Sequence, residues 1–220
     1  MRPAREVVRG GTLHLLGPGD RGRIAPIAAA AFGGSDFYAA VLGFPAARQG
    51  RFFDALFHLL LRDPNARVYG LEADGRLVAG TALVFAGFPC VRNALGFLRT
   101  LWRELGPLHL LRYLRFVRAY DRVMRADPKD AEREARAYWL FADPEAVNLR
   151  HGSALVRLAM ADLAAEGWGL VTGFVDASNA NLLAFYRRLG FSVSDSFPFL
   201  GRRGARITCR LPRAGTRPAC

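Results

Sequence analysis

The stretch from Asn179 to Phe191, NANLLAFYRRLGF, decides how this chain is read. Asn179 can cap a helix, because its side-chain oxygen reaches the unpaired N–H groups of a first turn. Gly190 can end that helix, because a residue without Cβ takes left-handed backbone angles at little cost. Just upstream, Leu170–Val175 is an apolar run of strand length. Before it, Leu155, Val156, Ala159, Met160, Leu163 and Ala164 form one helical stripe over about 151–166, and Gly167 stands where the C-terminal cap belongs. Further back, ARAYWLFA (135–142) reads as a strand stopped by Asp143-Pro144. Alternating strand and helix indicate a layered α/β structure.

Toward the N-terminus the period changes. Arg67–Ala73 and Arg76–Phe85 are β-like runs joined through Asp74-Gly75, a strong hairpin signal. A helix at about 50–62 carries Phe53, Leu56, Phe57, Leu60 and Leu61 and stops at Asp63-Pro64. Ser35 can cap a segment with Phe37, Tyr38, Val41 and Leu42, and Asp20 can cap a helix over about 21–32. Thr12–Leu16, Phe191–Val193 and Arg206–Leu211 are short strands, while 1–11 and 213–220 read as loose ends.

The chain has 220 residues, 51% hydrophobic and 23% charged. One domain of this size buries about 70% of its unfolded surface and needs neither metal nor disulfide to fold. Abundant Leu, Val and Phe exclude a disordered composition. No run of 18 uncharged apolar residues offers a transmembrane helix, and MRPAREVVRGG does not have the form of a secretory signal. Cys90, Cys209 and Cys220 are an odd number without metal spacing, which predicts unpaired thiols in a reducing cytoplasm and no metal site. The formal net charge is +12, but 30 of the 31 basic residues are Arg and Lys129 is the only Lys. With Ala and Gly also abundant, this reads as compositional bias and gives no clear nucleic-acid signal. The charge still creates a field that attracts anions.

The run from Tyr138 to Phe191 resembles the GNAT superfamily of N-acetyltransferases. In that family the fourth strand leads through a Pro-containing turn into a glycine-rich loop, a helix, a strand, and a second helix ending in Tyr-x-x-x-Gly-Phe. The matching pieces here are Tyr138–Ala142, Asp143-Pro144, His151-Gly152-Ser153-Ala154, Leu170–Val175, and 179–191 with Asn179, Tyr186, Gly190 and Phe191. The resemblance covers residues 12–211 except an insert. It implies a mixed, mostly antiparallel sheet flanked by helices, acetyl-coenzyme A as co-substrate, and transfer of its acetyl or acyl group to an amine by direct attack in a ternary complex.

Roles follow from the resemblance. Tyr186 is the expected general acid, and Asn179 the expected contact to pantetheine or acceptor. The main-chain N–H near Phe141 or Ala142 is expected to polarise the thioester carbonyl. Asn148, Leu149, Arg150, His151, Gly152, Ser153 and Ala154 form the expected phosphate loop and helix start, where unpaired N–H groups and the helix dipole favour anions. The loop departs from the family pattern, because Val147, Arg150 and Gly152 occupy the aligned positions and only the last glycine is kept. Ala135–Ala142 holds no carboxylate, so the general base is not legible; Glu134, Glu72 and Glu104 are candidates. A catalytically silent binding module, or a relative taking longer acyl chains, are the alternative readings.

Residues 88–133 form the insert between the third and fourth strands of that plan. They read as two helices broken at Gly106-Pro107. Leu98, Leu101, Trp102 and Leu105 share one apolar stripe, and Leu110, Leu114, Val117, Tyr120 and Met124 another, with Arg115, Arg118, Arg122 and Arg125 on a separate face. A lid over the acceptor, a homodimer contact, and a basic face for an anionic membrane or nucleic acid are the competing roles. The whole is expected to be one domain, with core 12–87 and 134–211. Its acceptor is expected to be a small-molecule or peptide amine that also carries a carboxylate or phosphate.

Overall fold

The computed structural model describes residues 7–8, 11–33, 35–43, 46–125, 133–146 and 149–212. Strands β1 (Val7–Val8) and β2 (Gly11–Leu15) lead through a short 3-10 turn into helices α1 (Arg21–Gly33), α2 (Asp36–Leu42) and α3 (Ala46–Leu60). The hairpin β3 (Ala66–Ala73) and β4 (Arg76–Val84) follows, then α4 (Val91–Leu105), α5 (Pro107–Val123) and β5 (Glu134–Ala142). The chain closes with α6 (Leu149–Ala165), β6 (Leu170–Asp176), α7 (Ala180–Arg188), β7 (Ser192–Val193), β8 (Phe197–Phe199) and β9 (Arg202–Arg210). Among the described residues these strands form one sheet in the order β1-β2-β3-β4-β5-β6-β9-β7, with β8 also on β9. Every pair is antiparallel except β5 with β6, which the α6 crossover makes parallel.

Local chemistry explains most element ends. Asp74 and Gly75 both take positive φ, 51° and 74°, as a two-residue hairpin turn demands. The Ser35 hydroxyl accepts from the Tyr38 N–H and caps α2. Asp20 does not cap α1 as expected; it sits in the preceding 3-10 turn and accepts from the Gly17 N–H instead. Helix α3 starts at Ala46, before the expected start at 50.

The sheet separates two cores. Helices α1 to α5 cover one face around Ile24, Phe57, Leu101 and Trp139. On the other face, α6 and α7 pack Leu155, Leu163 and Tyr186 against Leu71, Val171 and Ile207. The insert is helical as expected, but both inward stripes differ from the expected ones. Phe97, Leu101 and Leu105 face inward on α4, and Tyr113, Phe116, Tyr120 and Met124 on α5. Trp102 and Leu114 point outward, at 56% and 37% exposure. The insert packs on α3 and α2 as a wall of the first core, and none of its described residues lines the central cleft.

Candidate active site

The site is made by a single irregularity in β5. Ala82 pairs with Trp139 and Leu83 with Ala137, so Tyr138 is an extra residue with no partner on β4. Such a bulge bends the strand. Accordingly β5 and β6 pair only over Glu134–Ala137 and Leu170–Gly173, and beyond that they diverge. The gap is a cleft of about 910 Å³ between β5, β6, the ends of α1 and α2, and the start of α7.

The divergence leaves main-chain groups free. The Asp143 N–H donates to the Val78 carbonyl, and the Thr81 hydroxyl to that of Trp139. Main-chain groups alternate along a strand, so Phe141 turns to β4 while Leu140 and Ala142 turn to the open edge. This corrects the expectation for Phe141. Its amide is used in the β4 ladder and its ring is buried against Phe57 at 5.6 Å. The amide of Ala142 keeps the expected direction.

At the head of the cleft stands Tyr186, 6% exposed. Its placement follows from the end of α7. The Phe191 N–H donates to the Tyr186 carbonyl at 3.0 Å and the Gly190 N–H to that of Arg187 at 3.0 Å, with Gly190 at φ 87°. That is a Schellman end, and it brings the Phe191 ring to 5.3 Å from that of Tyr186. The Tyr-x-x-x-Gly-Phe spacing is therefore a helix-stop device that also aims the tyrosine. Burial holds the Tyr186 phenol well above its ordinary range, so it stays protonated. Asn179 accepts from the Leu182 N–H at 3.0 Å and lines the cleft as well, so it caps α7 at the cleft rim. Asn179→Ala is expected to cost about 1 kcal/mol of stability, read as a lower urea midpoint.

Opposite Tyr186 the cleft is aromatic. Phe32, Phe37, Tyr38, Tyr138, Trp139 and Phe174 line it, and the Tyr38 ring lies 4.8 Å from that of Trp139. Tyr38 is also raised by burial, then by Tyr186, Tyr138 and Asp176 near it. Among the described residues, two carboxylates that the sequence reading missed, Asp36 and Asp176, line the cleft with one arginine, Arg202. Asp176 accepts from the Ser178 N–H at 2.9 Å and hydroxyl at 2.7 Å. Its only signal in the sequence is its place at the end of a strand just before a helix cap.

None of the three glutamates proposed as base lines this cleft. Glu72 pairs with Arg23 and with His14 at the β2–β3 edge. Glu104 on α4 pairs with Arg51 at 3.6 Å. Glu134 is buried under the insert, where it accepts from the Thr172 hydroxyl at 2.5 Å beside Arg136 and Arg206. In the expected phosphate loop, Asn148 lies outside the described residues, and Leu149 and Arg150 are described only as the first turn of α6. His151 donates through Nδ1 to the Ala146 carbonyl at 3.3 Å, which ties that turn to the Pro144–Ala146 segment. A Cβ at Gly152 would meet the Phe185 ring at an ordinary 3.7 Å, so the protein's own packing does not require glycine there. Ser153 and Ala154 are half-buried in the same helix start. Among the described residues no cluster of His, Cys, Asp and Glu could hold a metal, and no single helix is long and apolar enough to cross a membrane.

The comparisons agree with this architecture. Residues 36–191 match the family model described as the acetyltransferase (GNAT) family. The search of curated proteins gives no match. Among solved structures, the fold is similar to the ribosomal-protein-S18-alanine N-acetyltransferase from Escherichia coli, at 16% identity and TM-score 0.53, covering 96% of this chain and 98% of that one. It is also similar to the PaiA N-acetyltransferase from Thermoplasma acidophilum in complex with coenzyme A, at 14% identity and TM-score 0.52, covering 88% and 96%. The C-terminal condensation domain of Ebony in complex with beta-alanyl-dopamine shares the fold at 10% identity and TM-score 0.59, covering 90% and 98%. A splayed strand pair, a bulge at its branch point and a tyrosine aimed into the gap thus sit on a known scaffold: the chain belongs to the GNAT family of acetyltransferases.

Proposed function

We propose that the protein transfers an acyl group from a coenzyme A thioester to the amine of a small apolar acceptor. The observation that carries this reading is the open edge of β5 with Tyr186 at its head, in one cleft of about 910 Å³. Acyl-coenzyme A would supply an acyl group activated as a thioester. The residues fit such a donor: the free amides of Leu140 and Ala142 can hold the extended arm, and the first turn of α6 offers unpaired N–H groups to the pyrophosphate.

The same amides stabilise negative charge on the carbonyl oxygen during attack. The amine lone pair attacks the carbonyl carbon, the C–N bond forms, and the C–S bond breaks. Solvent takes one proton from the ammonium before attack and a second from the nitrogen after it; Tyr186 gives its proton to the departing sulfur and regains one from solvent. Direct attack suits the cleft, since neither Cys90 nor Cys209 lines it and the Ser178 hydroxyl donates to Asp176 and has no histidine base beside it. The acceptor half departs from the anionic substrate expected from composition. Aromatic walls with Asp36 and Asp176 favour an ammonium group on an apolar body. Calorimetric titration with acetyl-coenzyme A is expected to show saturable micromolar binding, followed by acetylation of arylalkylamines. No heat up to millimolar concentration would remove the enzyme reading and leave the fold.

A further inference from the structure

A second cavity, of about 330 Å³, lies under the helical insert. Ala94 and Leu98 of α4, Val117 and Tyr120 of α5, and the segment after β4 form its walls. It is a recess partly open to solvent, with a mostly apolar lining. One observation ties it to the central cleft. Tyr138, the bulge residue, lines both this cavity and the central cleft, so the two spaces lie on either side of its side chain at the branch point of β5 and β6.

The direction of the donor follows from the open edge. An arm running along Leu140 and Ala142 away from the start of α6 brings its thioester toward the bulge. An acetyl methyl ends there, and a longer chain continues past Tyr138. Tyr113 of α5 lines the cavity together with Tyr138, so the insert borders the ring at this point. Glu134 also borders the cavity, but Thr172, Arg136 and Arg206 satisfy its carboxylate. We infer that the cavity under the insert receives the chain of a medium-length acyl thioester, and that the donor of this enzyme is longer than acetyl. This inference rests on the acyl-transfer reading above.

The test is calorimetric titration with acetyl- and octanoyl-coenzyme A, on the full chain and on Ala94→Phe and Val117→Phe. Each buried methylene is worth about four-fold in affinity, so seating three of the six extra ones makes octanoyl-coenzyme A about 60-fold tighter than acetyl-coenzyme A. The filled variants are expected to bind acetyl-coenzyme A as before and to lose that advantage; their acetyl-coenzyme A affinity also reports that they are folded. Equal affinity of the two donors for the unaltered protein overturns the inference and leaves the transfer reading intact. A preference for octanoyl that survives in both filled variants also overturns it, because the chain then lies elsewhere. Binding of neither donor overturns both readings.

Discussion

Tyr186→Phe is expected to lower kcat by about 100-fold while leaving the affinity for acyl-coenzyme A within about two-fold. The reason is geometric. The ring is held by the Schellman end of α7 and by Phe191, and phenylalanine keeps both contacts. Only the proton that the hydroxyl gives to the leaving sulfur is lost. Because burial keeps the phenol protonated, the unaltered enzyme is not expected to lose activity through this group at moderately alkaline pH. Steady-state kinetics beside calorimetry separates the two effects. A large loss of affinity with little loss of kcat would assign Tyr186 to binding and leave the acid unknown.

The second large effect is expected at Gly80, on β4 directly opposite Phe141. A Cβ there would lie 2.6 Å from one atom of the Phe141 ring and 2.9 Å from the Ile24 methyl. Both neighbours are packed: Ile24 is fully buried, and Phe141 is held against Phe57 and Phe32. Gly80→Val therefore forces β5 to move or Phe141 to leave its place, at a cost of about 2–3 kcal/mol. Since Phe141 lies between Leu140 and Ala142, the shift is also expected to weaken acyl-coenzyme A binding by about 10-fold. Urea denaturation measures the first effect and calorimetry the second. Unchanged stability would mean that the Phe141 ring relocates freely and that the bulged strand is not held by this contact.

Where one residue or a short spacing carries the physics, the sequence was informative. Asp74-Gly75 specified a hairpin because the turn needs two positive φ angles. Asn179, Tyr186, Gly190 and Phe191 announced a capped helix with a particular stop, and that stop aims the tyrosine. The two helices of the insert were legible from Gly106-Pro107 and the apolar spacing, yet their inward faces were not. Leu98, Trp102 and Leu114 fit helical periodicity as well as Phe97, Tyr113 and Phe116 do, and only the neighbouring α3, α2 and β8 decide which set is buried.

The site itself divides in the same way. Local chemistry determined by the sequence alone covers the order of elements, the helix caps, the family resemblance and the tyrosine. The tertiary structure decided the rest. A bulge at Tyr138 depends on how β4 and β5 register against each other, which no window of residues encodes. That register turns Ala142 rather than Phe141 to the open edge, and it brings Asp36 and Asp176, 140 positions apart in the chain, into one cleft. Glu134 looked like a base because it adjoins the right strand, but it lies before the bulge, where β5 and β6 still pair, and faces Thr172 under the insert. Periodicity specifies which residues share a face; only the packing of whole elements specifies what that face meets.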